Sequence, residues 1–173
     1  MRPFEAKDTH LPIRCSLTLI YIFSITIATL TTIASVIGIL IPTIIYPTEV
    51  LFQAFATNDI VNVLIGVPIL LVSLWLTRRG SQLGILLLPG ALLFTFYNSL
   101  TYTLAVPMNA VFILHLILVV LSACTFFTLL ANIDGGKVKV ALTGGVYEHL
   151  AGGVMAGFGI LFLIRVMSTL ATA

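Results

Sequence analysis

Charge is what this sequence has least of: eight Lys and Arg and six Asp and Glu make up 8% of 173 residues. A soluble domain carries about 25% charged residues, so an ordinary water-facing surface is excluded. The net charge of +2 is spread over short clusters, which excludes the continuous basic stripe of a nucleic-acid binder. The two cysteines, Cys15 and Cys124, lack the paired spacing of a metal site and read as reduced, buried small residues in a cytoplasmic half. There is no phosphate loop, no HExxH, no CxxC and no nucleophile elbow. His10, His115 and His149 fall at different levels, which argues against bis-histidine haem ligation. Asp59 is the one carboxylate near the outer part of an apolar run, too few for an ordinary ion pump. No catalytic constellation, cofactor or metal site is expected.

What the sequence does have is hydrophobicity, 60% of its residues, in runs of about twenty, the length that crosses a hydrocarbon layer of roughly 30 Å. The run from Ile60 to Leu76 contains only Asn62 and Ser73 as polar residues and is closed by Arg78-Arg79-Gly80. Backbone polar groups in hydrocarbon must be satisfied internally, so such runs are expected as helices. The predicted fold is therefore all-α: one integral membrane domain over 1–173, a polytopic bundle of five spans. These cover about residues 16–41, 59–77, 82–105, 110–131 and 147–170. The basic start through Arg14 resembles a signal peptide, but the run after it is about twice a signal core, and it reads as an uncleaved span. Pro42 and Pro47 bracket a short connection, and Thr48 to Thr57 is expected as a turn or two of helix lying in the interface. Pro68 and Pro89 fall inside spans, where each removes a backbone donor.

Basic residues orient the bundle. Arg2, Lys7 and Arg14 precede the first span, Arg78 and Arg79 join the second and third, and Lys137 and Lys139 join the fourth and fifth. The connections Pro42 to Asn58 and Val106 to Asn109 contain no Lys or Arg. Because basic loops stay in the cytoplasm, the amino terminus is expected inside and the carboxyl terminus outside.

Given that topology, polar residues of different spans share one depth. Asn62, Asn98, His115 and Arg165 each lie five or six residues outward of the middle of their spans, roughly 7–9 Å from the midplane, and Ser35 reaches the same level. Such residues are costly against lipid and tend to face one another. Arg165 requires an acid: Asp59, three residues before Asn62, is the expected partner and Glu49 the alternative. The expected site is an outward-facing polar pocket of Asp59, Asn62, Asn98, His115 and Arg165, with Tyr97 and Tyr102 near its rim. Each member also has a plainer reading. Asn58 and Asp59 suit a cap of the second helix, Arg165 suits snorkelling to headgroups, and His115 suits an interhelical hydrogen bond.

Other features have ordinary explanations beside functional ones. Tyr147-Glu148-His149 reads as an interfacial anchor and a first-turn acid, or as a catalytic pair. Arg78 and Arg79 fit the charge bias, or a lipid phosphate. Gly153 and Gly157 form a small-xxx-small pair suited to close helix packing, within the chain or with a partner helix.

The stretch Asn58-Asp59, Gly66-x-Pro68, Arg78-Arg79-Gly80-Ser81, Gly90 and Tyr97-Asn98 resembles a family of small prokaryotic multi-pass membrane proteins with no assigned activity. The resemblance covers about a third of the chain closely. It implies a prokaryotic cytoplasmic membrane and the second to fourth spans as a unit, and brings no reaction, cofactor or catalytic residue. The function expected is a binding or transport-accessory component whose partners are the bilayer and a small-molecule or lipid ligand, and no nucleic acid. The alternatives are a membrane-embedded enzyme acting on a lipid or quinone, and a structural subunit of a membrane complex.

Overall fold

Apolar runs that meet no water satisfy their backbone as helices, and the computed structural model, which describes residues 17–133, is built from them. In chain order they are α1 (Leu17–Leu40), the short α2 (Pro42–Ile45), α3 (Glu49–Val61), a π-turn (Asn62–Gly66), α4 (Val67–Arg78), α5 (Gln82–Ala105) and α6 (Ala110–Asn132). Four stretches are long and apolar enough to cross a membrane: Thr18–Leu40, Glu49–Arg78, Leu83–Ala105 and Val111–Asn132. The expected fifth span, with Gly153, Gly157, Arg165 and Tyr147-Glu148-His149, lies outside the described residues, as do Cys15 and the basic start; Cys124, expected buried, is instead exposed on the outer face of α6.

The second of these stretches departs from the sequence expectation. Thr48, in extended conformation, caps α3, its Oγ1 accepting from the Leu51 N–H at 3.3 Å, and Glu49 supplies a first-turn acid. No proline intervenes before Pro68, so the helix runs unbroken through Thr57 and Asn58 for 30 residues, about 45 Å. The segment 48–57 is therefore the first third of this long helix and not a separate interfacial piece. Asn58 and Asp59 sit well inside it, which removes their reading as caps. Where Pro68 approaches, the helix widens: the Val67 N–H bonds to the Asn62 carbonyl across a π-turn. A wide turn of this kind is one way for a helix to accommodate a residue with no N–H of its own.

The connection between α4 and α5 is a tight cap. The Gly80 N–H bonds to the Thr77 carbonyl and the Ser81 N–H to the Leu76 carbonyl, both at 3.0 Å, with Gly80 at φ 75°. This paired closure needs a left-handed residue, which glycine adopts without strain. Arg79 folds back over the Trp75 ring, its Cζ 3.7 Å from the centroid.

The helices pack as successive neighbours, α4 on α5 and α5 on α6, and α1 closes the bundle against α6 and α4. The buried stripe of α1 is Ile20, Ser24, Ile27, Ala28, Thr31, Ala34 and Ser35, at helical spacing and mostly small. One apolar cluster joins Ile20, Ile27, Leu70, Leu74, Leu88, Leu92, Leu118 and Leu129 along the bundle. A second, at the end away from Arg78 and Arg79, joins Ile45, Tyr46, Phe55, Tyr102, Val106 and Val111. The outer surface carries large apolar side chains such as Leu64, Val72, Leu93, Ile113 and Val120, as a bundle solvated by hydrocarbon would.

Candidate functional site

Asp59 is the centre of the polar residues. It points from α3 into the bundle, is 0% exposed, and accepts from two phenols: Tyr46 Oη on Oδ2 at 2.5 Å and Tyr102 Oη on Oδ1 at 2.8 Å. Among the described residues, the groups that hydrogen-bond to the carboxyl are thus two phenols and not a cation. The approach to α1 is possible because position 38 is glycine. A Cβ there would collide with Asp59 Oδ2 and come within 2.8 Å of Tyr46 Oη and 2.9 Å of Asp59 Cγ.

Tyr46 reaches the site because the chain turns back on itself after α1. Pro42 opens α2, and the Tyr46 N–H bonds to the Pro42 carbonyl at 2.7 Å, which closes the turn and directs the ring inward. Burial, and then the hydrogen bond to Asp59, raise the Tyr46 phenol well above its ordinary range near 10. It therefore remains a neutral donor at any ordinary pH.

Amides extend the network away from Asp59. Asn58 donates through Nδ2 to Asn98 Oδ1 at 2.6 Å, and Asn98 donates through Nδ2 to Asn62 Oδ1 at 2.7 Å. Asn62 in turn donates through Nδ2 to Ser35 Oγ at 3.3 Å, and Tyr102 Oη lies 3.2 Å from the Phe55 carbonyl as well as on Asp59. Helical spacing explains the selection. Asn58, Asp59 and Asn62 lie within one turn of α3 and the π-turn, and Asn98 and Tyr102 are one turn apart on α5.

His115 joins through its ring. It stacks on Tyr102 with centroids 4.4 Å apart and planes at 3°, while Nδ1 contacts the Val111 carbonyl at 2.8 Å. A carbonyl only accepts, so Nδ1 carries the proton in this bond and Nε2 of a neutral ring is an acceptor. Tyr46, Phe55, Tyr102 and His115 form a row of neighbouring rings across α2, α3, α5 and α6.

Four of the five expected site residues, Asp59, Asn62, Asn98 and His115, thus belong to one connected cluster, with Ser35. Arg165 lies outside the described residues. Of the two rim tyrosines, Tyr97 is 60% exposed and points away, whereas Tyr102 is 1% exposed and central. Sequence reasoning missed Tyr46, Gly38 and the amide role of Asn58. Asn58 had a signal, its spacing of four from Asn62; Tyr46, reached by a reversal of the chain, had none.

Chemically, the cluster can fasten four helices, hold a proton among a carboxyl and its phenols, or open to exchange its internal bonds for those of a polar ligand. Comparison with protein-family models, curated proteins and solved structures gives no match, so its chemistry is argued from its own geometry.

Proposed function

We propose that this chain is an integral protein of a prokaryotic cell membrane, with five spans, its amino terminus inside and its carboxyl terminus outside. In this reading it is a binding or transport-accessory component, and the Asp59 cluster is its ligand site in the outer half of the membrane. The observation that carries the reading is a fully buried carboxyl held by phenols beside a π-turn, at the end of the bundle opposite Arg78 and Arg79. Wide turns of this kind recur at functional sites, and ionisable residues at membrane depth mark binding or transport positions. The resemblance of residues 58–109 to small prokaryotic membrane proteins, and the basic inner segments, support the location and orientation.

Orientation is tested by labelling single cysteines placed in a background without Cys15 and Cys124. In intact cells an impermeant maleimide should mark Met108→Cys, which replaces a residue 87% exposed, and miss Ser81→Cys. Labelling of Ser81→Cys from outside overturns the orientation.

Ligand binding is tested by a thermal-shift screen of polar metabolites on the purified chain. A ligand at about a hundred times its Kd adds about 2.7 kcal/mol, a rise in Tm of several degrees. Asn62→Leu and Asn98→Leu should lose that rise, and Thr29→Leu, on the exposed face of α1, should keep it.

A second reading, a structural subunit, is favoured by one observation: Asn58, Asn98, Asn62 and Ser35 bond to one another. If no metabolite shifts melting and the Asn→Leu changes only lower stability, the cluster is a joint between helices.

A further inference from the structure

Helical spacing puts one line of side chains on the outer surface of α4. Ile65, in the π-turn, is followed by Pro68, Val72, Trp75 and Arg79 at steps of three or four residues, and all five are exposed. From Pro68 to Arg79 the line runs about 16 Å, close to one leaflet of a hydrocarbon layer of roughly 30 Å. It is apolar as far as Trp75 and cationic at its end. Such a surface matches a ligand with a hydrocarbon chain and an anionic head.

The cationic end is held in place. Arg79 lies over the Trp75 ring with its Cζ 3.7 Å from the centroid, so the face of the guanidinium is occupied by the indole. Its N–H donors lie in the guanidinium plane and remain free of the ring, in the fork that matches phosphate oxygens. Arg78, also exposed, supplies a second guanidinium at the adjacent position. Gly80, at φ 75°, closes the chain directly after them, so both stand on a fixed turn. No acid competes for them among the described residues. The carboxyl groups there are Glu49 and Asp59, at the opposite end of the bundle, and α5 opens without an acid in its first turn. The inward bias of basic residues asks only for charge, which lysine would supply, and does not account for the stacked pair. Close packing of a partner helix favours small residues, whereas Ile65, Val72 and Trp75 are large.

We propose that Arg79, oriented by Trp75 and joined by Arg78, binds the phosphate of an anionic phospholipid whose chain lies along Val72, Pro68 and Ile65. Charge-assisted bonds from the planar fork fix the phosphate, and the exposed apolar line meets the acyl chain. A headgroup without an amine is selected, because an ammonium on the lipid would bring a third positive charge to the two guanidiniums. The site rests on the membrane-spanning part of the proposed function. It needs neither the orientation nor a ligand at Asp59, which lies about 30 Å away along the same helix. Failure at either site therefore leaves the other standing.

The test is lipid binding to the full-length chain, purified in detergent and read by native mass spectrometry. One molecule of dioleoylphosphatidylglycerol should bind about tenfold more tightly than dioleoylphosphatidylcholine, which has the same chains and phosphate with an added cation. Arg79→Gln should weaken phosphatidylglycerol binding about fivefold, the effect of about one charge at a membrane surface. Trp75→Leu keeps both charges but leaves Arg79 without its ring, and should also weaken binding about fivefold. Phe127→Leu, which removes an exposed ring on α6, should leave binding unchanged. These side chains are on the surface, so each variant should melt with wild type. Equal binding of the two lipids overturns the site, and so does undiminished phosphatidylglycerol binding in either Arg79→Gln or Trp75→Leu. Displacement of the lipid by excess inorganic phosphate overturns the choice of a lipid headgroup. A lipid-free pair of chains that Trp75→Leu returns to monomer also overturns it, since the line then seats a second copy.

Discussion

Asp59→Ala should lower unfolding stability in detergent by about 2–5 kcal/mol, because it leaves the Tyr46 and Tyr102 hydroxyls buried without their carboxyl acceptor. Each stranded hydroxyl costs about 1–3 kcal/mol, and Tyr102 recovers part of its share from the Phe55 carbonyl at 3.2 Å. The cost lies in the stranding as much as in the lost bonds, so removing the hydroxyls should recover part of it. Asp59→Ala combined with Tyr46→Phe should melt above Asp59→Ala with Tyr46 intact, although Tyr46→Phe alone is destabilising. Asp59→Asn, which retains one oxygen acceptor, should fall between wild type and Asp59→Ala. The measurement is a double-mutant cycle on melting of the purified chain. Strictly additive losses would mean that phenol and carboxyl do not depend on each other.

The same cluster shows where sequence reasoning succeeds and where it stops. Hydropathy locates α1, α5 and α6 within a residue or two, because hydrocarbon leaves the backbone no alternative to helix. Counting outward from the middle of each run brings Ser35, Asn62, Asn98 and His115 to one level, since 1.5 Å per residue converts position to depth. Depth does not give facing. Tyr97 is one residue from Asn98 and so nearer its level than Tyr102, four residues on, but only Tyr102, one turn away, shares its face. The interfacial reading of 48–57 failed because the segment, with Glu49 and Gln53, is too short to cross by itself, and the polar Asn58 and Asp59 after it separate it in hydropathy from the run that begins at Ile60. Two of these four polar side chains are satisfied inside the bundle, and Gln53 donates to Glu49 at 3.1 Å along the helix. Tyr46 was illegible for another reason. A reversal between two prolines has no period, and the ring is held by the tertiary bond to Asp59.

Gly84→Ala should be clearly destabilising, and Gly90→Ala should be harmless, although both glycines lie on α5. At Gly84 the first turn of α5 is pressed against the last turn of α4. A Cβ there would collide with the Thr77 backbone nitrogen and come within 2.6 Å of the Leu76 carbonyl carbon and 2.7 Å of Thr77 Oγ1. Backbone cannot rotate aside as a side chain tip can, and the Gly80 turn three residues from the start of this contact limits how far the helices can separate. Overpacking of this kind costs about 1–3 kcal/mol and occasionally more, and the upper end is expected because backbone is what blocks the methyl. At Gly90 an added Cβ meets nothing within 4 Å, and alanine should gain about 0.5–1 kcal/mol from helix propensity. Paired melts in detergent should therefore move in opposite directions, Gly84→Ala down by several degrees and Gly90→Ala level or slightly up. If Gly84→Ala melts with wild type, α4 and α5 are farther apart at the turn than described. The register that sets Asn62 against Asn98 would then have to be fixed by the amide bond alone.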